Sequence, residues 1–239
     1  MQEYKARASK AGEILTEPRT KSETLSQGVK THAKKWLKET LYKRKYFKGN
    51  KYTQKGNANE EEGVTLLALY YKCWLDTNTN YMENDYMCGT CDINHPEHGI
   101  IDIKNSYSLD TFPMFETTLP DKDYGVQVNV YQELYNNKKV NGKVAYVLTD
   151  LDDESLESKL KWLQTDNEKQ EEAILHVYGA ENWTRVKDKY FPTADAIDFV
   201  EIPNEKRVKI FEVPYNEEVI KKLEKRVIEI RKFVKEIVN

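Results

Sequence analysis

The sequence of 239 residues predicts an α/β domain with helical additions, and three observations carry that expectation. Segments with a helical period (60–75, 124–136) alternate with strand-like runs (85–93, 99–106) through the middle of the chain. A short continuous apolar run at 144–148 has the character of a strand covered on both faces. No internal repeat and no low-complexity linker divides the chain, and its length suffices for a full core without staples, so one domain is the simplest organisation.

Taken in order, residues 9–15 read as a short helix, ended by Pro18, which cannot continue a helical ladder. A basic helix is expected over 26–46, with Val29, Trp36, Leu37 and Leu41 as its apolar positions. Gly49-Asn50 opens a polar loop and Gly56-Asn57 closes it. In the helix expected over 60–75, Glu60, Val64, Leu67, Tyr71 and Trp74 share one face, so an acid heads an otherwise apolar stripe. Glu62 lies on an adjacent face with Leu66, Leu69 and Cys73 and is the alternative acid. Two strands, 85–93 and 99–106, flank a turn at 94–98. Next come a helix at 124–136 with Val126, Val130 and Leu134 inward, the strand at 144–148, and acidic helices over 152–189. A strand at 207–213 precedes a final helix that Asn216 caps and that runs to Val238. Its seam of Ile220, Leu223, Val227, Ile230, Val234 and Ile237 spans under three heptads, a length that favours covering its own domain over another subunit. The expected organisation is a single domain, 1–239. It comprises a basic N-terminal region (1–56), a catalytic core (57–150), an acidic helical insertion (151–204), and a strand with the C-terminal helix (205–239).

Composition narrows the class. With 39% hydrophobic and 32% charged residues the chain resembles an ordinary globular protein, and no run of about 18 apolar residues marks a membrane span. The first ten residues are polar and basic, unlike a secretory signal, and three cysteines are too few for a disulfide framework. A cytoplasmic location is the expectation. The net charge of −3 conceals an asymmetry. Residues 1–56 carry fifteen Lys or Arg against five acids, +10, and residues 151–204 carry thirteen acids against six bases, −7. Such a distribution fits a polyanion touching one side of the molecule, although two solvated helical faces give the same numbers.

The chemistry concentrates in Cys88-Gly-Thr-Cys-Asp92 and Ile100-Ile-Asp102-Ile-Lys104. Residues two apart on a strand point the same way, so Asp102 and Lys104 project together while Ile101 and Ile103 face the opposite layer. The intervening turn brings Asp92 alongside. Two carboxylates from neighbouring strands suit a hard divalent cation such as Mg²⁺. A lysine beside them can ready a water or steady the charge growing on a phosphate. An Asp-x-Lys segment alone is most often an exposed strand face; its company changes the reading. That company is the inward acid of the preceding helix and Gln127 with Tyr131, four apart on one face of the following helix.

In that order, Glu60, Asp92, Asp102-x-Lys104 and Gln127-x-x-x-Tyr131 resemble the PD-(D/E)xK nuclease superfamily. Within it, the pattern is most similar to the branch of phage lambda exonuclease and the YqaJ-type viral recombinases. Lys55-Gly56-x-x-x-Glu60 resembles that branch's helix opening, and Arg7-Ala-Ser9 with Ile14 and Pro18-Arg19 resembles its N-terminal segment. The likeness covers roughly residues 5–150; Cys91 stands where the motif name has proline, and Arg7 lies off the register of the branch's arginine. The resemblance implies a restriction-endonuclease-like fold, a mixed central sheet flanked by helices. It implies a metal site of Asp92, Asp102 and the Ile103 carbonyl, holding Mg²⁺ or in its place Mn²⁺, with Glu60 as a further metal-linked or water-linked acid. Lys104 is then the catalytic lysine and Gln127 holds the geometry, supported by Tyr131. Ser9 and Thr90 stand where hydroxyls approach the 5′-phosphate of DNA, with Arg7 and Tyr131 on the DNA-binding side. The activity implied is 5′-to-3′ exonuclease action on linear double-stranded DNA in phage-type recombination or DNA processing. It comes with a ring of three subunits, a single-strand annealing protein as partner and, for a phage protein, the cytoplasm of a bacterial host.

Two other readings stay open: an endonuclease of the same superfamily, of the restriction or junction-cleaving sort, and a non-catalytic DNA-binding protein. Cys88-x-x-Cys91 with His95 and His98 could also be read as a zinc site, against the simpler reading of two buried thiols and a polar turn. An iron–sulfur cluster needs four cysteines and the chain has three. Tyr42, Tyr46 and Tyr52, near basic residues, are candidates for stacking on bases.

Overall fold

The computed structural model describes residues 3–44, 59–195 and 197–238. Tyr46, Tyr52, Lys55-Gly56 and nearly all of the expected loop at 49–59 lie outside the described residues. The N-terminal segment forms strand β1 (Ala6–Arg7) and, after one 3₁₀ turn, the four-residue helix α1 (Ala11–Ile14). Ser26 caps α2 (Gln27–Tyr42), accepting a hydrogen bond from the Val29 amide. Helix α3 (Glu60–Tyr71) carries three acids in its first turn, where the positive end of its dipole favours them. Two small strands, β2 (Met82–Glu83) and β3 (Met87–Gly89), lead to β4 (Ile93–His95) and the central strand β5 (Gly99–Asn105).

Helix α4 (Lys122–Leu134) then crosses over to β6 (Gly142–Val147), which lies parallel to β5, a pairing that two-residue turns cannot make. Helices α5 (Asp153–Leu160), α6 (Asp166–Ile174) and α7 (Ala180–Tyr190) precede the last strand β7 (Val208–Val213) and helix α8 (Glu217–Val238). The main sheet has the order β4-β5-β6-β7: antiparallel, parallel, antiparallel. A smaller sheet, β1-β3-β2, pairs the N-terminal strand in parallel with β3.

Alternation along β5 divides the core. Ile100 faces a cluster with Val128 and Val130 of α4, Val144 of β6, and Leu223, Val227 and Ile230 of α8. Ile101 and Ile103 face the other side, against Leu66 and Leu67 of α3 with Ala145, Val147 and Val208. Each fully buried side chain of this kind contributes about 1.5–3 kcal/mol of transfer free energy. Gly63 allows α3 to seat closely: a Cβ there would lie 3.0 Å from Asn105 Oδ1 and 3.2 Å from Val147 Cγ2. The acidic segment buries a separate cluster of Leu156, Leu160, Ala173, Val177, Trp183 and Phe191, and its charges remain outside.

Several expectations are corrected. The run 85–93 is two strands in two sheets, because Thr90–Asp92 break the pairing and turn the chain from one ladder to the other. Helix α3 stops at Tyr71, with Lys72 in the left-handed region. Trp74 is 81% exposed and forms no part of the core stripe. Strands β1 and β2 were not expected, since two residues carry no periodic signal. The α8 seam packs against Val29, Ala33 and Leu37 of α2, as expected, except that Ile237 is exposed and lies outside it. Among the described residues no helix is long and apolar enough to cross a membrane.

Candidate active site

Strand β5 lifts Asp102 and Lys104 from the sheet toward α4, as their spacing requires. Asp102 is 2% exposed, and its Oδ2 meets the Lys104 ammonium at 2.7 Å. The other oxygen, Oδ1, accepts from Gln127 Nε2 at 3.0 Å, and the same amide donates to the Tyr131 hydroxyl at 3.1 Å. Lys104 in turn donates to Gln127 Oε1 at 3.3 Å and lies 4.3 Å above the Tyr124 ring. Tyr124, Gln127 and Tyr131 fall at positions i, i+3 and i+7 of α4, a single helical face. Tyr124 joins the site residues read from the sequence, and its helical spacing to Gln127 is the signal that marks it.

Asp92 follows the break between the two sheets, one residue before β4. Its Oδ2 accepts the Ile103 amide at 2.6 Å, which fixes the carboxylate beside β5. Burial, then the Asp102 charge, push the Asp92 carboxyl up to about 7, although the Ile103 hydrogen bond and Lys104 oppose the shift. Burial also raises Asp102, against the lowering effect of Lys104. For Lys104, burial alone would favour the neutral amine, but the Asp102 charge, its hydrogen bond and Asp92 overcome it, and the ammonium is held above its ordinary range. Lys104 pairs with Asp102 and acts on Asp92 through charge alone, and both carboxyls resist ionisation.

Glu60 is exposed at the start of α3 and acts on Asp92 by charge, raising it further. Among the described residues no three His, Cys, Asp or Glu side chains gather into a closed metal cluster, so Glu60 stands apart from the Asp92–Asp102 pair. The rival acid Glu62 is engaged elsewhere: it accepts from Arg207 at 2.8 Å and from the Asp150 amide at 3.2 Å. Arg207 also donates to Asp150 Oδ1 at 3.2 Å and to the Leu148 carbonyl at 2.7 Å, so this network ties α3 to the end of β6 and, through the Tyr178 amide on Asp150, to the acidic segment.

Arg7, Ser9 and Thr90 are exposed. Gly89 lets β3 approach its neighbours closely: a Cβ there would stand 3.1 Å from that of Ala8 and 2.9 Å from Cε1 of Tyr131. Ser9 and Thr90 are the residues that follow Ala8 and Gly89 in the chain.

The cysteine–histidine group does not assemble. Cys91 is fully buried, accepts from Asn78, and burial pushes its thiol up to about 12, far from the thiolate a metal needs. His98 contacts Cys73 instead, at 3.5 Å, and stacks on His95 and Tyr71.

No family model matches the chain. No curated protein matches it. Solved structures do. A phage-related exonuclease from Haemophilus somnus 129PT superposes with a TM-score of 0.72 at 23% identity, over 99% of this chain and 96% of its own. An alkaline exonuclease (LHK-Exo) from Laribacter hongkongensis gives 0.61 at 10% identity, over 98% and 89%. The same enzyme in complex with dAMP gives 0.61 at 11%, over 98% and 91%. At these identities the likeness establishes the fold: the mixed sheet flanked by helices is that of these exonucleases, as the resemblance in the sequence implied.

Proposed function

We propose that this protein is a divalent-metal-dependent exonuclease that hydrolyses phosphodiester bonds of linear double-stranded DNA from a 5′ end. The observation that carries the proposal is the placement of Asp92, Asp102 and Lys104 about strand β5, Asp92 held by the Ile103 amide and the other two joined to each other and to Gln127, in a fold shared with solved exonucleases. An oxygen-only donor set in which both carboxyls are pushed toward their neutral forms suits a hard cation, Mg²⁺ or in its place Mn²⁺. Asp92, Asp102 and the Ile103 carbonyl would hold it, with Glu60 at the edge. Such an ion, when bound, polarises the scissile phosphate and makes the attacking water more acidic.

The chain's own groups supply the rest. Lys104 provides fixed positive charge for the phosphate as its negative charge grows. Gln127 holds Asp102 in one orientation and keeps Lys104 beside it. A carboxylate of the pair takes the proton of the attacking water. Arg7, Ser9 and Thr90, on the neighbouring surface, meet the terminal phosphate, and Tyr131 closes the site behind Gln127. The basic N-terminal region binds the backbone without regard to sequence. In this reading DNA is the substrate, three copies form a ring, a single-strand annealing protein is the companion, and the setting is the cytoplasm, with phage-type recombination as the role.

End-labelled linear DNA, with and without a 5′-phosphate, incubated in Mg²⁺ and then in EDTA beside closed circular DNA, tests the proposal. The expected result is release of label from phosphorylated linear DNA in Mg²⁺ alone. Equal cutting of circles would replace it with the endonuclease reading, and binding without cleavage would leave a DNA-binding protein.

A further inference from the structure

Helix α8 lies outside the part of the chain that the sequence motifs cover, yet one of its side chains reaches the strand pair that carries Arg7. Strands β1 and β3 pair over only two positions, Ala6 with Met87 and Arg7 with Cys88, a ladder too short to be stable by itself. Extending that register by two residues places Tyr4 opposite Asp85. Arg231 of α8 donates through Nε to the Tyr4 carbonyl at 2.9 Å and through Nη2 to the Asp85 carbonyl. Its guanidinium also meets Glu3 at 3.1 Å and lies over the Tyr86 ring, and the side chain is only 18% exposed. The planar fork thus supplies the rung that the backbone lacks, bridging equivalent positions on the two strands. The far end of the same ladder carries Arg7, then the Ala8–Gly89 contact, Ser9 and Thr90.

We infer that Arg231 is a positioning residue: it fixes the register of β1 on β3 and thereby sets Arg7 and Ser9 against Thr90 where the DNA end is received. The inference rests on the nuclease reading above for its consequence, but not for its geometry. Lysine keeps the charge toward Glu3 but cannot bridge two carbonyls in a fixed fork, so Arg231→Lys should fail to rescue.

The test measures Arg231→Lys and Arg231→Gln against Arg226→Lys. Arg226 lies on the same helix and holds the Thr24 carbonyl and Glu17, away from the ladder. Amide exchange at Ala6, bonded to the Tyr86 carbonyl at 2.8 Å, should quicken about tenfold in both Arg231 variants and stay unchanged in the control. In the same variants KM for 5′-phosphorylated DNA should rise about tenfold while kcat stays within about twofold. Unchanged exchange overturns the clamp. Faster exchange with unchanged KM overturns the positioning role. If the wild-type protein cleaves no DNA, the nuclease reading falls separately, and exchange together with binding of a phosphorylated DNA end decides the clamp.

Discussion

Asp102 is the residue with the least freedom in the site, held by Gln127 on one oxygen and by Lys104 on the other. Under the proposed function, Asp102→Ala or Lys104→Ala should lower cleavage by about 10³-fold or more while DNA binding changes little, because Lys104 acts chiefly on the charge that grows in the transition state and the basic N-terminal region supplies most of the binding contacts. Single-turnover cleavage beside a binding titration checks this; near-normal activity in either variant removes the mechanism. Gln127 touches both groups without supplying charge, so Gln127→Ala should cost about 10–100-fold in kcat. The carboxyls also set a pH dependence. Asp92 has an ordinary value of 3.8 and is pushed up to about 7 in the fold, so between the two the folded state holds the extra proton. Stability from this group is fully present below about pH 3.8 and is lost as pH rises through about 7, and Asp102 is shifted in the same sense. Melting temperatures in EDTA should therefore fall between about pH 4 and pH 7, and Mg²⁺ should flatten the fall by favouring the ionised pair. A flat profile in EDTA contradicts the assigned surroundings of Asp92.

At the scale of elements, what the sequence disclosed followed the reach of its periodicities. The strand spacing of Asp102 and Lys104, and the helical spacing of Gln127 and Tyr131, are local patterns, and the fold keeps both. Ile101 and Ile103 do face the α3 layer. What failed was tertiary. Whether Glu60 or Glu62 turns inward depends on Arg207, 145 residues from Glu62, and no local pattern announces that pairing. Strand β1 exists because β3 and α8 receive it, a reason distant in the chain. Helix α3 loses Trp74 because Lys72 turns left-handed at its end, which the continuing apolar pattern conceals. The Arg207 network carries its own prediction. Arg207 is buried between two acids, and Arg207→Leu removes the cation that both share, so the variant should lose about 3–5 kcal/mol in urea unfolding. A loss under about 1 kcal/mol would mean that the network is not a structural tie.

Across the whole molecule, opposite charges are segregated between the N-terminal region and the acidic segment. The exposed face of α2 carries Lys34, Lys35 and Lys38, and the helices of the acidic segment keep their carboxylates at the surface around a separate apolar cluster. Under the proposed function, the basic N-terminal region attracts the DNA polyanion and the acidic segment repels it, which would orient an approaching duplex before any specific contact forms. The logarithm of DNA affinity should fall with the logarithm of salt with a slope steeper than about −3, and reversing the three α2 lysines to glutamate should flatten it. The central claim, that Asp92 and Asp102 together hold a divalent cation, is tested most directly by calorimetric titration of Mn²⁺ or Mg²⁺ into the wild-type protein, Asp92→Asn and Asp102→Asn. One site with proton release in the wild type, absent from both variants, is the predicted result; equal binding in all three would contradict it.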